Sequence, residues 1–186
     1  MACMLKAPFS WKFRRPDREA VREFVLRKMP AGACAEIGVK NGDFSAKILE
    51  INRPTTLYLI DPWFDAPGPV RTHEERYQHV CGRFAAEIAS GRIRLIRETS
   101  ESAAPKIADA SLAWVYIDGN HSYEFVKRDL ELYFAKVKPG GYIVCDDYHY
   151  AGNWADGVTR AVDEIMDRGT CRKIFKRRSQ FVMQRI

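Results

Sequence analysis

The sequence has no run of about 20 apolar residues, the length that a membrane-spanning helix needs. Residues 1–15 contain no apolar segment of the kind found in signal peptides. The five cysteines are scattered, odd in number and never spaced Cys-x-x-Cys. We therefore expect a cytoplasmic protein in a reducing compartment, with no disulfide framework and no membrane partner.

A chain of 186 residues, 46% hydrophobic and 29% charged, suits one soluble globular domain. The formal net charge is +6, and much of the positive excess lies near the two ends without any recognisable nucleic-acid-binding module. We interpret the basic ends as solvated faces, predict no nucleic-acid partner, and leave homo-oligomerisation open. The residues concerned are Lys12, Arg14, Arg15, Arg18, Arg168, Arg172, Lys173, Lys176, Arg177 and Arg178.

The segment around which the chain is organised begins and ends with an apolar run. Leu112–Ile117 and Tyr142–Cys145 are rich in residues that favour strands, and a carboxylate follows each of them. Residues 122–137 between them show roughly helical periodicity, and the Pro and Gly residues of 138–141 end that helix. Strand, helix and strand in this order predict two parallel strands whose carboxyl ends meet at one edge.

The same patterns extend this unit to one doubly wound α/β domain. Residues 1–32 form an arm and a helix, and residues 33–186 form the main domain. An insertion at about 64–90 is a candidate lid, because it is too long for a minimal crossover. The predicted strands are 33–37, 56–60, 92–96, 112–117 and 142–145, with an antiparallel pair at 172–175 and 180–184.

A turn with two glycines follows the first predicted strand. Gly38 and Gly42 allow a sharp backbone turn, but the third glycine of a dinucleotide-binding Gly-x-Gly-x-x-Gly motif is missing. Glu36, just before the turn, would repel a pyrophosphate and suits an ammonium group. Asp61, after the second strand, can accept hydrogen bonds from ribose hydroxyls. With Ser100 and Glu101 near an adenine edge, the pattern fits S-adenosylmethionine.

Residues 33–185 resemble the class I S-adenosylmethionine-dependent methyltransferases. Within that superfamily, residues 117–148 are similar to metal-dependent O-methyltransferases of small molecules, most closely the macrocin and mycinamicin sugar enzymes, with catechol enzymes more distant. The resemblance implies a Rossmann-like sheet of seven strands with the last strand antiparallel. It also implies cofactor contacts at Glu36, Gly38, Gly42, Asp61, Ser100, Glu101 and Asp118.

Three carboxylates follow the fourth and fifth strands, and their oxygens suit Mg²⁺ or Mn²⁺ better than zinc. The resemblance implies that Asp118, Asp146 and Asp147 hold this metal, which binds the acceptor hydroxyl and lowers its pKa. The related sugar enzymes have Asp, Glu and Asp at these positions, so three Asp residues are a variant. His121 corresponds to a general base. The alternative is that Asp146 and Asp147 cap the next segment and Asp118 faces the cofactor alone.

We therefore predict an S-adenosylmethionine-dependent O-methyltransferase that acts on a hydroxyl of a sugar-containing metabolite or a phenol. One alternative is an RNA or DNA methyltransferase, although Asp118 is not followed by the Pro-Pro-aromatic motif of base amino-group methylation. Another is a cofactor-binding protein without catalysis. A nucleotide-dependent oxidoreductase is disfavoured by Glu36 and by the missing third glycine.

Overall fold

The computed structural model describes residues 17–64, 70–150 and 156–186. The predicted arm at residues 1–15, together with Pro16, and residues 65–69 of the predicted lid lie outside the described residues. The described residues form a seven-stranded sheet in the order β3-β2-β1-β4-β5-β7-β6. The strands are β1 Ala33–Ile37, β2 Thr56–Ile60, β3 Ile93–Ile96, β4 Leu112–Ile117, β5 Val137–Cys145, β6 Cys171–Arg177 and β7 Gln180–Arg185.

The first five strands are parallel, and β7 runs antiparallel to both of its neighbours, β5 and β6. This confirms the predicted Rossmann-like single domain with an antiparallel last strand. All six residues of β4 are buried, which explains its unbroken apolar sequence. The fifth strand begins at Val137 rather than at Tyr142, because a register irregularity accommodates Gly140, whose φ is 75°.

Helices cover both faces of the sheet. They are α1 Arg18–Leu26, α2 Asp43–Lys47, α3 Val70–Arg83, α4 Ala85–Ala89, α5 Ser100–Ala103, α6 Tyr123–Lys136 and α7 Gly157–Asp167. A π-helical turn, Ile48–Asn52, follows α2, and a 3₁₀ turn, Ala104–Lys106, follows α5. One apolar cluster packs α5, α6 and α7 on one face, and a second cluster packs α1, α2 and α3 on the other. Among the described helices, none combines the length and apolarity that a membrane span requires.

Helix α1 is firmly attached to the sheet. Asp17 caps its N-terminus by accepting a hydrogen bond of 2.7 Å from the backbone N–H of Ala20. Val21, Val25 and Leu26 are almost fully buried. The helix ends at Leu26, earlier than the predicted end before Pro30, and a hydrogen-bonded turn follows it.

Two helices differ from their predicted form. The polar residues 98–101 predict a turn and residues 103–108 predict a helix, but α5 begins at Ser100, because the Thr99 side chain accepts a hydrogen bond from the backbone N–H of Ser102. In α6 the buried positions are 126, 129, 130 and 133, a helical spacing that includes Asp129. The charge of Asp129 predicts a position facing water, but the residue is 3% exposed, and the apolar Phe125, for which the sequence predicts a core position, is 52% exposed.

Candidate functional site

Four neighbouring strands end at the same level of the sheet. The last residues of β2, β1, β4 and β5 are paired with one another across the ladder. The residues that directly follow them are Asp61, Gly38, Asp118 and Asp146. The structure therefore brings these predicted site residues together in one row at the carboxyl edge of the sheet, where open α/β sheets bind ligands.

The turn after β1 is held in place by Asp61. One oxygen of this carboxylate accepts hydrogen bonds of 2.9 Å from the backbone N–H groups of Val39 and Lys40. The other oxygen accepts one of 2.8 Å from the backbone of Trp63, whose indole in turn donates to the carbonyl oxygen of Lys40. A carboxylate has about four acceptor positions, so these bonds leave room for a ribose hydroxyl, and that role stays a prediction.

Gly42 lies at the N-cap of α2 with a left-handed φ of 75°. A Cβ atom there would lie 2.7 Å from the Phe84 ring, so the residue that follows α3 packs directly against the glycine turn. The described part of the insertion therefore contacts the turn that is predicted to approach the cofactor.

Glu36 is a buried carboxyl group next to this turn. It is 1% exposed, and its Oε2 accepts a hydrogen bond of 2.5 Å from the Ser45 hydroxyl. Burial raises the pKa of Glu36 to about 8, while the Ser45 hydrogen bond limits that rise and the negative charge of Asp118 adds to it. An approaching cation would reverse the shift, so this carboxyl group suits the ammonium of a methionine-type ligand.

Ser100 and Glu101 lie at the start of α5 but face different surroundings. The Ser100 hydroxyl donates a hydrogen bond to the buried carboxylate of Asp129, and its carbonyl oxygen accepts one of 3.0 Å from the Tyr133 hydroxyl. Glu101 forms an exposed ion pair of 2.7 Å with Arg128. The predicted contact of both residues with an adenine edge stays a prediction.

We expect Asp129→Asn to stabilise the protein in a pH-dependent way. Burial raises the pKa of Asp129 to about 6, and the hydrogen bond from Ser100 limits the rise. Below about pH 4 the carboxyl group is protonated in the folded and the unfolded chain, so the variant gains nothing there. As the pH rises from about 4 to 6, the unfolded chain ionises this group while the folded chain keeps it protonated, so wild type loses stability. The variant should then be more stable by on the order of 2 to 3 kcal/mol.

Urea unfolding at both ends of this pH range measures the difference. Asp109→Asn is the matched control, because Asp109 pairs with Lys136 with its side chain 72% exposed. It should change the unfolding free energy by less than about 1 kcal/mol at either pH. An equal effect of Asp129→Asn at both pH values would contradict the expectation.

His121 lies within contact distance of two of the three predicted metal ligands, Asp118 and Asp147. His121 Nε2 is 3.2 Å from Asp118 Oδ1, and His121 Nδ1 is 3.3 Å from Asp147 Oδ2. Burial alone would lower the pKa of His121, but the two carboxylates outweigh it and raise the pKa to about 9. In this arrangement the imidazole is mainly protonated at neutral pH.

Two arginines of α1 lie among the same carboxylates. Arg22 Nη2 is 2.6 Å from Asp118 Oδ2 and also contacts Asp146 Oδ2. Arg18 Nη2 is 2.7 Å from Asp146 Oδ2 and 3.2 Å from Asp147 Oδ1. The guanidinium groups therefore occupy the space between the acids.

Asp146 is the most heavily hydrogen-bonded member of the cluster. Its side chain is fully buried, and besides the two arginines it accepts hydrogen bonds from the Gln180 amide and, at 2.8 Å, from the backbone N–H of Asp147. The Tyr116 hydroxyl lies 3.2 Å away. Burial alone would raise the pKa of Asp146, but Arg22 and Arg18 outweigh it and lower the pKa to about 2. This carboxylate is ionised and its oxygens are engaged.

A divalent metal does not fit between these side chains as they stand. Oδ2 of Asp118 and both oxygens of Asp146 accept hydrogen bonds from guanidinium or amide groups. Asp147 lies beside the charges of Arg18 and His121, although its buried Oδ1 has no hydrogen-bond partner among the described residues. Mg²⁺ requires contacts of about 2.1 Å in octahedral geometry, which this packing does not leave open. Within residues 17–64, 70–150 and 156–186, no group of three or more His, Cys, Asp or Glu side chains has the arrangement that could hold a metal ion.

Sequence reasoning missed both arginines and Asp129. Arg18 was assigned to a solvated basic face, and Arg22 received no role. Their spacing of four residues places them on one side of a helix. However, nothing local in the sequence indicates that this side meets the ends of β4 and β5.

Comparison with known proteins identifies the family. Residues 35–148, more than half of the chain, match the family described as a methyltransferase domain. A stretch of 52 residues is 44% identical to an uncharacterised protein of Acanthamoeba polyphaga mimivirus. That match covers 28% of this chain and 23% of the viral protein.

Solved structures of low sequence identity share the fold. The O-methyltransferase NovP has a TM-score of 0.61 at 21% identity, with 90% of this chain and 77% of that chain covered. The SAH-bound methyltransferase PaMTH1 from Podospora anserina has a TM-score of 0.64 at 15% identity, with 89% and 76% covered. An rRNA methylase from Streptococcus thermophilus has a TM-score of 0.63 at 11% identity, with 95% and 99% covered.

Neighbours named for such different activities share the fold, so this likeness shows the fold and does not identify the methyl acceptor. The family match, the seven-stranded sheet and the row of residues at its carboxyl edge agree with one another. The chain belongs to the methyltransferase-domain family and is a class I S-adenosylmethionine-dependent methyltransferase.

Proposed function

We propose that this methyltransferase transfers a methyl group to a hydroxyl of a small molecule, either a sugar-containing metabolite or a phenol. The observation that supports this proposal is the position of His121 and Asp118. They lie where β4 ends, next to the end of β1 and the glycine turn predicted to bind the cofactor. The resemblance of residues 117–148 to sugar and catechol O-methyltransferases and the fold shared with NovP point the same way. A nucleic-acid acceptor is not part of the proposal.

The cofactor end of the sheet holds groups that suit each part of S-adenosylmethionine. Glu36 would receive the ammonium, Asp61 the ribose hydroxyls, and Ser100 with Asp129 would lie near the base. Gly38 and Gly42 would let the backbone approach the ligand closely. These assignments remain part of the proposal.

When bound, S-adenosylmethionine supplies a methyl group on a sulfonium centre. The acceptor oxygen would form the new bond to that carbon, and the sulfur would leave with the electron pair of the carbon–sulfur bond. We propose that the neutral form of His121, which is the minor form at neutral pH because the pKa is about 9, takes the hydroxyl proton, and that Asp118 and Asp147 hold the resulting imidazolium. Because the magnesium ion predicted from the sequence does not fit the cluster, no step depends on it.

Calorimetric titration of S-adenosylmethionine tests the cofactor site. We expect one site per chain and, in Glu36→Gln, an affinity roughly 10- to 100-fold lower, because a charged hydrogen-bond partner is lost. Since Glu36 has a pKa of about 8 without ligand, binding at neutral pH should also release a proton in wild type but not in the variant. Titrations in buffers with different ionisation enthalpies measure that proton.

The matched control is Glu50→Gln, a change at an exposed position of the π-helical turn, which should bind as wild type does. Equal affinity and equal proton release in wild type and Glu36→Gln would refute the assignment of Glu36. The acceptor class is tested separately, by measuring S-adenosylhomocysteine formation with panels of sugars, phenols and amines. Turnover with amines alone would contradict the O-methyltransferase proposal.

A further inference from the structure

We propose that Arg22, together with Arg18, supplies the fixed positive charge that a divalent cation would supply at the acceptor end of this site. Methyl transfer by this chain is then independent of divalent metal. This inference rests on the proposed function, because it concerns the site where the acceptor hydroxyl would lie. Arg22 is a positioning residue, since it acts through Asp118 and Asp146.

The position of Arg22 is that of a bridging cation. A single nitrogen, Nη2, contacts Oδ2 of Asp118 and Oδ2 of Asp146, the residues that follow β4 and β5. The guanidinium also lies 5.0 Å from the ring centre of Phe44 and 5.8 Å from that of Tyr116. The side chain is only 12% exposed, so two charges and two rings fix its place.

Arg18 completes the charge balance on the outer side of the cluster. It contacts both Asp146 and Asp147, whereas the His121 imidazole faces Asp118 and Asp147. Three carboxylates thus meet two guanidinium groups and one imidazole. A divalent ion has no uncompensated group of carboxylates left to bind.

Arg22 lies on the side of α1 that packs on the core, because residues three and four positions apart share one side of a helix. Val25 and Leu26 are fully buried, and the helix is joined to its neighbours by a 2.8 Å ion pair between Lys47 and Glu23. The Asn52 amide donates to the carbonyl oxygen of Met29 at 3.0 Å. The packing of α1 therefore keeps both arginines close to the carboxylates that follow β4 and β5.

Mn²⁺ binding to chelator-treated protein, followed by electron paramagnetic resonance of the free ion, tests the inference. We expect no stoichiometric uptake at millimolar Mn²⁺ by wild type, by Arg22→Lys, or by Arg168→Gln, which removes a surface partner of Glu131. The double variant Arg18→Gln/Arg22→Gln should take up about one Mn²⁺ per chain. With wild type, chelator should change S-adenosylmethionine affinity and methyl-transfer rate less than two-fold.

Uptake of one Mn²⁺ per chain by wild type, abolished in Asp146→Asn, would overturn the inference. So would a rate that falls at least ten-fold with chelator and returns with Mg²⁺. If the double variant does not fold by circular dichroism, the wild-type titration alone decides between the outcomes. Absence of S-adenosylmethionine binding with or without metal would refute the proposed cofactor site instead, while the Mn²⁺ titration would still give its own answer.

Discussion

Gly38→Ala should cost the protein roughly 2 to 5 kcal/mol of unfolding free energy and abolish S-adenosylmethionine binding. Gly38 has a φ of 89°, which residues with a Cβ rarely adopt. A Cβ atom there would lie 2.2 Å from the carbonyl oxygen and 2.6 Å from the carbonyl carbon of Asp118. Because both are backbone atoms, the overlap can be relieved only by moving the ends of β1 and β4 apart.

Gly91→Ala separates the cost of a positive φ from the cost of the overlap with the Asp118 backbone. Gly91 also has a positive φ, 75°, but a Cβ atom there meets nothing within 4 Å. The control should therefore lose only the backbone cost, about 1 to 2 kcal/mol, and keep its affinity for the cofactor. Urea unfolding and calorimetric titration of both variants provide the comparison. Equal losses in the two variants would show that the closeness of Gly38 to Asp118 has no energetic consequence.

The row of site residues could be predicted because it depends on local patterns. Apolar runs mark the strands, and each run ends at a carboxylate or a glycine. Right-handed crossovers between parallel strands then bring those ends to one edge of the sheet. The positions of the four residues could be predicted without knowing how distant helices pack. They are Asp61, Gly38, Asp118 and Asp146.

The two arginines that lie among Asp118, Asp146 and Asp147 could not be predicted in that way. Arg22 meets Asp118 across 96 positions and Asp146 across 124 positions of sequence. Contacts at such separation depend on how α1 docks on the sheet, and the pattern within α1 shows only that one side is apolar. Carboxylates at adjacent strand ends indicate a cation nearby, but they do not indicate whether it is a metal ion or a guanidinium group.

The prediction that Asp129 faces water was wrong for a related reason. Its charge suggests a wet position, whereas its spacing from Val126 and Tyr133 places it on the buried side of α6. The helical periodicity therefore predicts the position of Asp129 better than its charge does. The Ser100 hydroxyl donates a hydrogen bond that lowers the cost of burying the Asp129 carboxyl group. A charged residue on the apolar side of a helix is therefore worth treating as a candidate for the neighbouring site.

Asp146→Asn should destabilise the protein by about 3 to 5 kcal/mol, because it leaves two guanidinium groups without their buried partner. The amide nitrogen of the new side chain would also place donors against the donors of Arg22 or Gln180. Glu131→Gln is the matched control. It removes the same charge from a carboxylate–arginine pair of 2.8 Å whose members are 42% and 45% exposed, and should cost less than about 1 kcal/mol.

The pH dependence of the Asp146→Asn effect distinguishes a buried ion pair from a loss of shape alone. Arg22 and Arg18 lower the pKa of Asp146 to about 2 against the effect of burial, so the folded state favours the ionised form. The stability contributed by that charge is fully present above about pH 4, the unfolded pKa, and is lost as the pH falls toward 2. Unfolding curves of wild type and variant should thus differ by a constant amount from neutral pH down to about pH 4, and then converge. A difference that stays constant through that acidic range would mean that Asp146 contributes through its packing and hydrogen-bond geometry, and that the charge on the arginines is balanced by other groups.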